Sequence, residues 1–167
     1  ILSQQLGVGF FDNATITPFK YIHSYLNIPD TSNRDSLFQA EARRCKEILD
    51  TIINSNEKEK HFCIFDELYS GTNPNEAIAS AISYLRFISK YKNVNFILTT
   101  HYITVCENLN INQKIKNKHM QIINNHSTFK VQNGISYEKG GIKVLEELEY
   151  PSDIINNAIQ LASLYKI

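Results

Sequence analysis

No run of apolar residues in this 167-residue chain is long enough to cross a bilayer. Nor does it show a basic leader followed by an apolar segment and a small-residue cleavage site, so nothing in it directs secretion. Both absences point to a soluble, intracellular protein, with cytoplasm and nucleus equally open. Charge of one sign is missing too: 17 Lys and Arg balance 17 Asp and Glu. Without a global basic field there is no nonspecific hold on a nucleic-acid backbone, and any such contact is expected from outside this segment. Cysteine is scarce. Cys45, Cys63 and Cys106 are odd in number, far apart and without the paired spacing of a metal site, so they are expected to be reduced core thiols. No initiator methionine precedes Ile1–Leu6, which reads as the interior or end of a helix, and the sequence is expected to start within a domain.

What is present is ordinary globular usage, with 43% hydrophobic and 20% charged residues, and the length suits one domain or part of one with a real core. After Gly7 and Gly9, the alternation of Phe19, Tyr21, Ile22, Tyr25 and Leu26 predicts a strand within 14–26. Pro29 and the polar run to Asp35 predict a loop. From Ser36 an apolar stripe at Phe38, Ala42, Cys45, Ile48, Leu49, Ile52 and Ile53 predicts a helix ending near Asn54. The run Phe62-Cys63-Ile64-Phe65 is short and sharply bounded, as a strand buried on both faces would be. Asn73 as cap, Pro74 in the first turn and Glu76 closing a capping box then predict a helix continuing to Ile88. Val94 to Leu98 forms the next strand, so that strand, helix and strand make a right-handed parallel crossover. From Ile115 to Tyr137 two strand-like segments around Asn124-Asn125-His126-Ser127 predict an antiparallel hairpin, and helical patterns return at 142–148 and 152–165 across Tyr150-Pro151.

The chemistry gathers where strands end. Asp66 and Glu67 follow the buried run, and an open parallel sheet binds ligands beyond the carboxyl ends of its strands. In phosphoryl transfer one acid can hold the magnesium ion bridging the phosphates while the other accepts a proton from the attacking water. By itself the pair is equally a strand finishing in polar residues. The neighbouring strand, however, also ends in Thr99, Thr100, His101 and Tyr102. A histidine there can sense a terminal phosphate or orient the water, and Tyr102 can pack beside a nucleotide. A lone loop histidine would read as merely hydrogen-bonded, but its place beyond a buried strand favours the functional role. Ser36 can address an anion from a helix start, or simply form a capping box with Gln39; both readings stand. Capping likewise explains Asn73 and Glu76 without any ligand.

Phe62-Cys63-Ile64-Phe65-Asp66-Glu67, Gly71-Thr72 and Leu98-Thr99-Thr100-His101-Tyr102, in that order, resemble the ATPase domain of the MutS mismatch repair family. Asp35-Ser36-Leu37-Phe38-Gln39-Ala40-Glu41 looks like the family's signature segment, Gly140-Gly141-Ile142-Lys143-Val144 like its ending, and residues 151–162 like its final helix. The resemblance implies an α/β fold, a P-loop NTPase of ABC and MutS type, with a mainly parallel central sheet flanked by helices, a late antiparallel hairpin and a terminal helix pair. Residues 1–137 would be an incomplete ATPase domain and 138–167 a carboxy-terminal helical extension of it. Asp66 would be the magnesium-associated acid, Glu67 the general base and His101 the switch histidine, with Tyr102 near the nucleotide. Ser36 would address ATP bound to a partner domain, and Asn73, Asn75 and Glu76 would lie along the shared interface. The implied cofactors are ATP and Mg2+. The implied partners are DNA, bound through amino-terminal domains, and a second subunit in a homodimer or MutS-like heterodimer, with no membrane.

Departures accompany the likeness. Ser36-Leu37-Phe38 stands where the family has Ser-Thr-Phe, and Tyr69-Ser70 precedes Gly71 in place of Gly-Arg. The Asn33-to-Ser36 segment and the Asn- and Ile-heavy composition look like divergent relatives from large DNA viruses. No Gly-x-x-x-x-Gly-Lys-Ser/Thr (Walker A) loop occurs, although that loop supplies the amides and lysine that hold phosphates. It is expected just upstream, and these residues alone are expected to be inactive. A noncatalytic MutS-like dimerisation module is the alternative, opposed by the intact acids and histidine. Another ABC-type ATPase is disfavoured by the missing Leu-Ser-Gly-Gly signature.

Overall fold

A computed structural model of the chain describes residues 15, 17–26, 36–109, 114–123, 126–137 and 140–164. The expected opening helix, Gly7, Gly9, the loop from Pro29 to Asp35, the turn residues Asn124 and Asn125, and Tyr165 lie outside the described residues. The described chain divides into two units, Ile1–Ile135 and Ser136–Ile167.

The first unit is organised by strand β2 (His61–Asp66), which lies between β1 (Tyr21–Tyr25) and β3 (Val94–Thr99) in a three-stranded sheet. Both pairings are parallel, in the registers Tyr21↔His61 to Tyr25↔Phe65 and His61↔Val94 to Asp66↔Thr99. β2 takes the centre because its side chains are apolar at both parities, so both faces can be buried. Phe62, Cys63 and Phe65 are all buried, and the Phe65 ring lies 5.8 Å from Tyr84, 6.2 Å from Tyr25 and 6.4 Å from Phe96. Burying such an aromatic side chain stabilises the fold by roughly 1.5–3 kcal/mol. β1 lies within the span that the aromatic alternation suggested, its pairing running over the five residues opposite His61 to Phe65.

Two crossover helices flank β2 in sequence. Helix α1 (Leu37–Ile53) buries Cys45, Ile48 and Ile52 at helical spacing, together with the charged Glu41. Helix α2 (Pro74–Ile88) buries Ala77, Ala81, Tyr84, Leu85 and Ile88. Asn73 caps α2 through the Glu76 amide at 3.1 Å. The expected capping box is not formed, because the Glu76 carboxylate instead accepts a hydrogen bond from the Thr72 hydroxyl at 2.9 Å. Helix α3 (Ile103–Leu109) was not foreseen; at seven residues it is too short to display an apolar period, and only Val105 and Leu109, one turn apart, are buried. Burial pushes the thiols of Cys45 and Cys63 up to about 12. Cys106, on α3, is only half-buried, so the expectation of three core thiols fails there.

β4 (Lys118–Ile123) and β5 (His126–Asn133) form the antiparallel hairpin, with an irregularity between Met120 and Ile122. His126 and Ser127, expected in the turn, belong to β5 and pair with Ile123 and Ile122. In the second unit, α4 (Gly141–Glu147) and α5 (Ser152–Leu164) contain no buried residue. Among the described residues no helix is long and apolar enough to cross a membrane.

Candidate active site

Parallel pairing delivers the carboxyl ends of β2 and β3 to one rim. Asp66, the last residue of β2, stands in register with Thr99, the last of β3, and the Thr99 hydroxyl donates to the Asp66 carboxylate. One residue further on, the Glu67 amide donates to the Thr99 carbonyl at 3.0 Å. This bond extends the ladder past the strand end, but the Glu67 backbone has turned to φ 50, a left-handed conformation that a residue with a Cβ adopts at a cost of about 1 kcal/mol or more. The turn brings the Glu67 carboxylate to 3.0 Å from His101 Nδ1.

Because a carboxylate only accepts, the imidazole donates from Nδ1 in this pair, and Nε2 is left for another partner. Both side chains are about half exposed, Glu67 at 48% and His101 at 58%, so water reaches them and the pair contributes no more than about 1 kcal/mol to folding. The Tyr102 ring lies 4.1 Å from His101, and the Tyr102 amide donates to the Thr100 hydroxyl at 3.1 Å. The oxygen donors of Asp66, Thr99 and Glu67 suit a hard divalent cation of the kind usually held by one or two carboxylates plus phosphate oxygens. Among the described residues no cluster of three or more His, Cys, Asp or Glu side chains that could hold a metal ion by itself occurs. A cavity of about 460 Å³ lined by Arg86, Ser89, Lys90 and Lys114 belongs to the far end of α2 and not to this rim.

The remaining sequence candidates sit on two helix starts. Ser36 caps α1 in a reciprocal box: its amide donates to Gln39 Oε1 at 2.8 Å and its hydroxyl accepts from the Gln39 amide at 3.3 Å. Its hydroxyl proton remains available to a further acceptor. Asn73, Asn75 and Glu76 occupy the exposed start of α2, reached from Glu67 by one short loop. The structure thus brings Asp66, Glu67, Thr99 and His101 together, and places Asn73 to Glu76 at the other end of the loop that begins with Glu67.

Sequence reasoning missed Glu41. Its carboxylate, on a residue only 2% exposed, accepts from the Ser70 hydroxyl at 2.8 Å and from the Gly71 amide at 3.0 Å. An acid falling in the apolar stripe between Phe38 and Cys45 was the available signal, since a buried carboxylate must find donors. Gly71 is needed for this approach, because a Cβ there would stand 2.7 Å from the Phe38 amide nitrogen.

An α/β domain with adjacent acids and a histidine at the carboxyl rim of its parallel sheet belongs to the class of open α/β proteins whose ligand sites lie at that edge. The family described as MutS domain V matches residues 4–166, and the chain belongs to that family. It is 36% identical to Endonuclease MutS2 of Finegoldia magna over 102 residues, which are 60% of this chain and 13% of that protein. It is 26% identical to the DNA mismatch repair protein MSH3 of Saccharomyces cerevisiae over 144 residues, 80% of this chain and 14% of that protein. Against Endonuclease MutS2 of Fusobacterium nucleatum it is 28% identical over 130 residues, 77% of this chain and 16% of that protein. The chain therefore corresponds to roughly a seventh of the length of these relatives.

Proposed function

We propose that this chain is the acid- and histidine-bearing part of a MutS-type ATPase that couples ATP binding and hydrolysis, across a dimer, to the binding of mismatched DNA. The juxtaposition of Glu67 and His101, next to Asp66 on the rim, is the observation that carries the reading. In this arrangement Glu67 accepts the proton of the attacking water as that water bonds to the terminal phosphorus and the bond to the leaving diphosphate oxygen breaks. His101, with its Nδ1 proton on Glu67, keeps the carboxylate aimed and turns Nε2 toward the terminal phosphate or the water. Asp66, oriented by the Thr99 hydroxyl, is the residue that would hold Mg2+, which when bound neutralises charge on the phosphates. Tyr102 flanks the nucleotide side of His101.

The family assignment supports the other roles. Ser36 addresses ATP held by the partner domain, and Asn73, Asn75 and Glu76 line the interface, in a homodimer or a heterodimer of MutS-like chains. A Walker A loop upstream of residue 1 completes the phosphate site, residues 138–167 extend the same domain, and amino-terminal domains hold the DNA. These residues alone are then inactive. MSH3 carries mismatch repair in its name, which is the source of the DNA assignment; the name Endonuclease MutS2 describes proteins of which this chain covers 13% and 16%.

Glu67→Gln in the full-length protein tests the reading. The amide keeps the size of the side chain but cannot take the water's proton, so ATP should still bind while turnover falls by about a hundredfold or more. Turnover at the parent rate would remove Glu67 from the role of base.

A further inference from the structure

The loop 67–71 carries two residues with side chains in left-handed backbone, Glu67 at φ 50 and Tyr69 at φ 61. Such conformations persist only where the surroundings over-determine them. Leu68 and Tyr69 are buried and supply part of that constraint. The Tyr69 amide donates to the Tyr25 hydroxyl at 3.1 Å, and the Tyr69 ring lies 5.9 Å from Phe38 on α1. The remaining constraint comes from Glu41, whose two carboxylate oxygens take the Ser70 hydroxyl and the Gly71 amide separately. The Tyr25 hydroxyl also lies beside this carboxylate: burial first, and then Glu41, raise its pKa above the ordinary tyrosine range.

We propose that Glu41 is a positioning residue that locks the loop carrying Glu67 onto the first turns of the helix carrying Ser36. This deepens the functional reading above and rests on it. Glu41 lies five residues into α1 from Ser36, roughly 7.5 Å along the axis. Its bonds to Ser70 and Gly71 reach the loop three and four residues after Glu67. A single buried carboxylate therefore ties the general base to the serine that acts on a partner's nucleotide. The close approach of Gly71 to the Phe38 amide, which a methyl group would obstruct, leaves that contact little play. Through this tie, a displacement of the α1 start when Ser36 meets a partner's nucleotide is passed to the Glu67 backbone.

The test uses the full-length protein and separates turnover from binding. Glu41→Ala frees the loop to relax, and the base then sits off its productive position. Turnover should fall by about tenfold or more while the dissociation constant for Mg-ATP changes by less than about twofold. Glu41→Gln should restore turnover to within about threefold, because its amide oxygen can accept from Gly71 while its NH2 donates to the Ser70 hydroxyl. Ser70→Ala removes one bond only and leaves the Gly71 amide on Glu41, so it should slow turnover by about threefold with a smaller loss of stability than Glu41→Ala, and the idea remains open to refutation if Glu41→Ala does not fold. Parent-like turnover in Ser70→Ala, or in a folded Glu41→Ala, overturns the positioning role. So does a fall in affinity that matches the fall in turnover. Parent-rate turnover in Glu67→Gln, measured alongside, would instead sink the functional reading and leave Glu41 no base to position.

Discussion

The same central strand ends in two histidine pairs of opposite character. At its carboxyl rim, His101 meets Glu67 with both side chains about half exposed. At its start, roughly 20 Å away along β2, His61 is fully buried and His23 on β1 is 8% exposed. There His23 Nε2 lies 2.9 Å from His61 Nδ1, and His61 Nε2 lies 2.8 Å from the Ser55 hydroxyl, which itself donates to the Ile52 carbonyl. Only one proton arrangement satisfies that chain: Ser55 accepts from His61 Nε2–H, so His61 Nδ1 accepts from His23 Nε2–H. Both rings are neutral and the Tyr21 ring stacks on His61 at 4.7 Å. A satisfied buried pair holds the sheet, whereas an open pair with an unused nitrogen can meet a ligand.

The largest expected effects come from exchanging the fates of the two ends. His61→Ala should lower the unfolding free energy by about 3 kcal/mol, since it opens a cavity and leaves His23 without an acceptor. His101→Ala in the full-length protein should change stability by less than about 0.5 kcal/mol yet slow ATP turnover by roughly a hundredfold. Urea unfolding and steady-state turnover measured on both variants decide the matter. Similar stability losses at the two positions would erase the distinction.

Acid should separate the pairs next. Burial, then the His61 ring and Arg44, push His23 down to about 4, and burial lowers His61 as well. Between pH 6.5 and about 4 the unfolded chain therefore binds protons that the folded chain refuses, and stability rises with pH across this window. The stabilisation is complete above the unfolded value of about 6.5 and is lost as pH falls toward 4, by a few kcal/mol at most. His23→Gln retains an N–H for His61 but cannot titrate, so the pH dependence of the unfolding midpoint should flatten in that variant. An equally steep profile would place the titration elsewhere.

Glu67→Gly should have a smaller effect of the opposite sign on stability. Glycine adopts φ 50 freely, so removing the Cβ should leave the fold unchanged or stabilise it by up to about 1 kcal/mol while turnover is lost. A clear loss of stability would mean that the left-handed turn is not strained and that the carboxylate supports the fold.

How much of this was legible in the sequence follows from the range of each interaction. α1 and α2 announced their starts because caps are local: Ser36 with Gln39, and Asn73 with Glu76, fix helix starts through neighbours three residues away. β2 was legible from its apolar run, and the rim candidates from the polar residues that end β2 and β3. Pairing partners were not. Whether β1 ran for five residues or more depended on register with β2, and His23 and His61, 38 positions apart, gave no local hint that they would meet. Glu41 was hidden for the same reason, because its donors Ser70 and Gly71 lie 29 and 30 residues away. The rim was therefore readable as a list of residues, and its internal geometry was a product of the parallel sheet.

The smallest expected effect bears on what the Glu67 and His101 contact is for. A 3.0 Å ion pair or hydrogen bond can be a structural clasp, and a mutation at either residue alone cannot tell a clasp from a catalytic contact. A double-mutant cycle of Glu67→Gln and His101→Gln can, because it isolates the part of each effect that needs the other side chain. With both groups half exposed, their attraction is screened and each gives up rotamer freedom to meet, so the coupling in unfolding free energy should not exceed about 1 kcal/mol. The coupling in turnover should be far larger: once the base is gone a histidine that aims it has nothing left to do, so the second substitution should change the rate by less than about threefold. A folding coupling well above 1 kcal/mol with multiplicative losses of turnover would make the pair a clasp, and would move the rim histidine into the same class as the buried one.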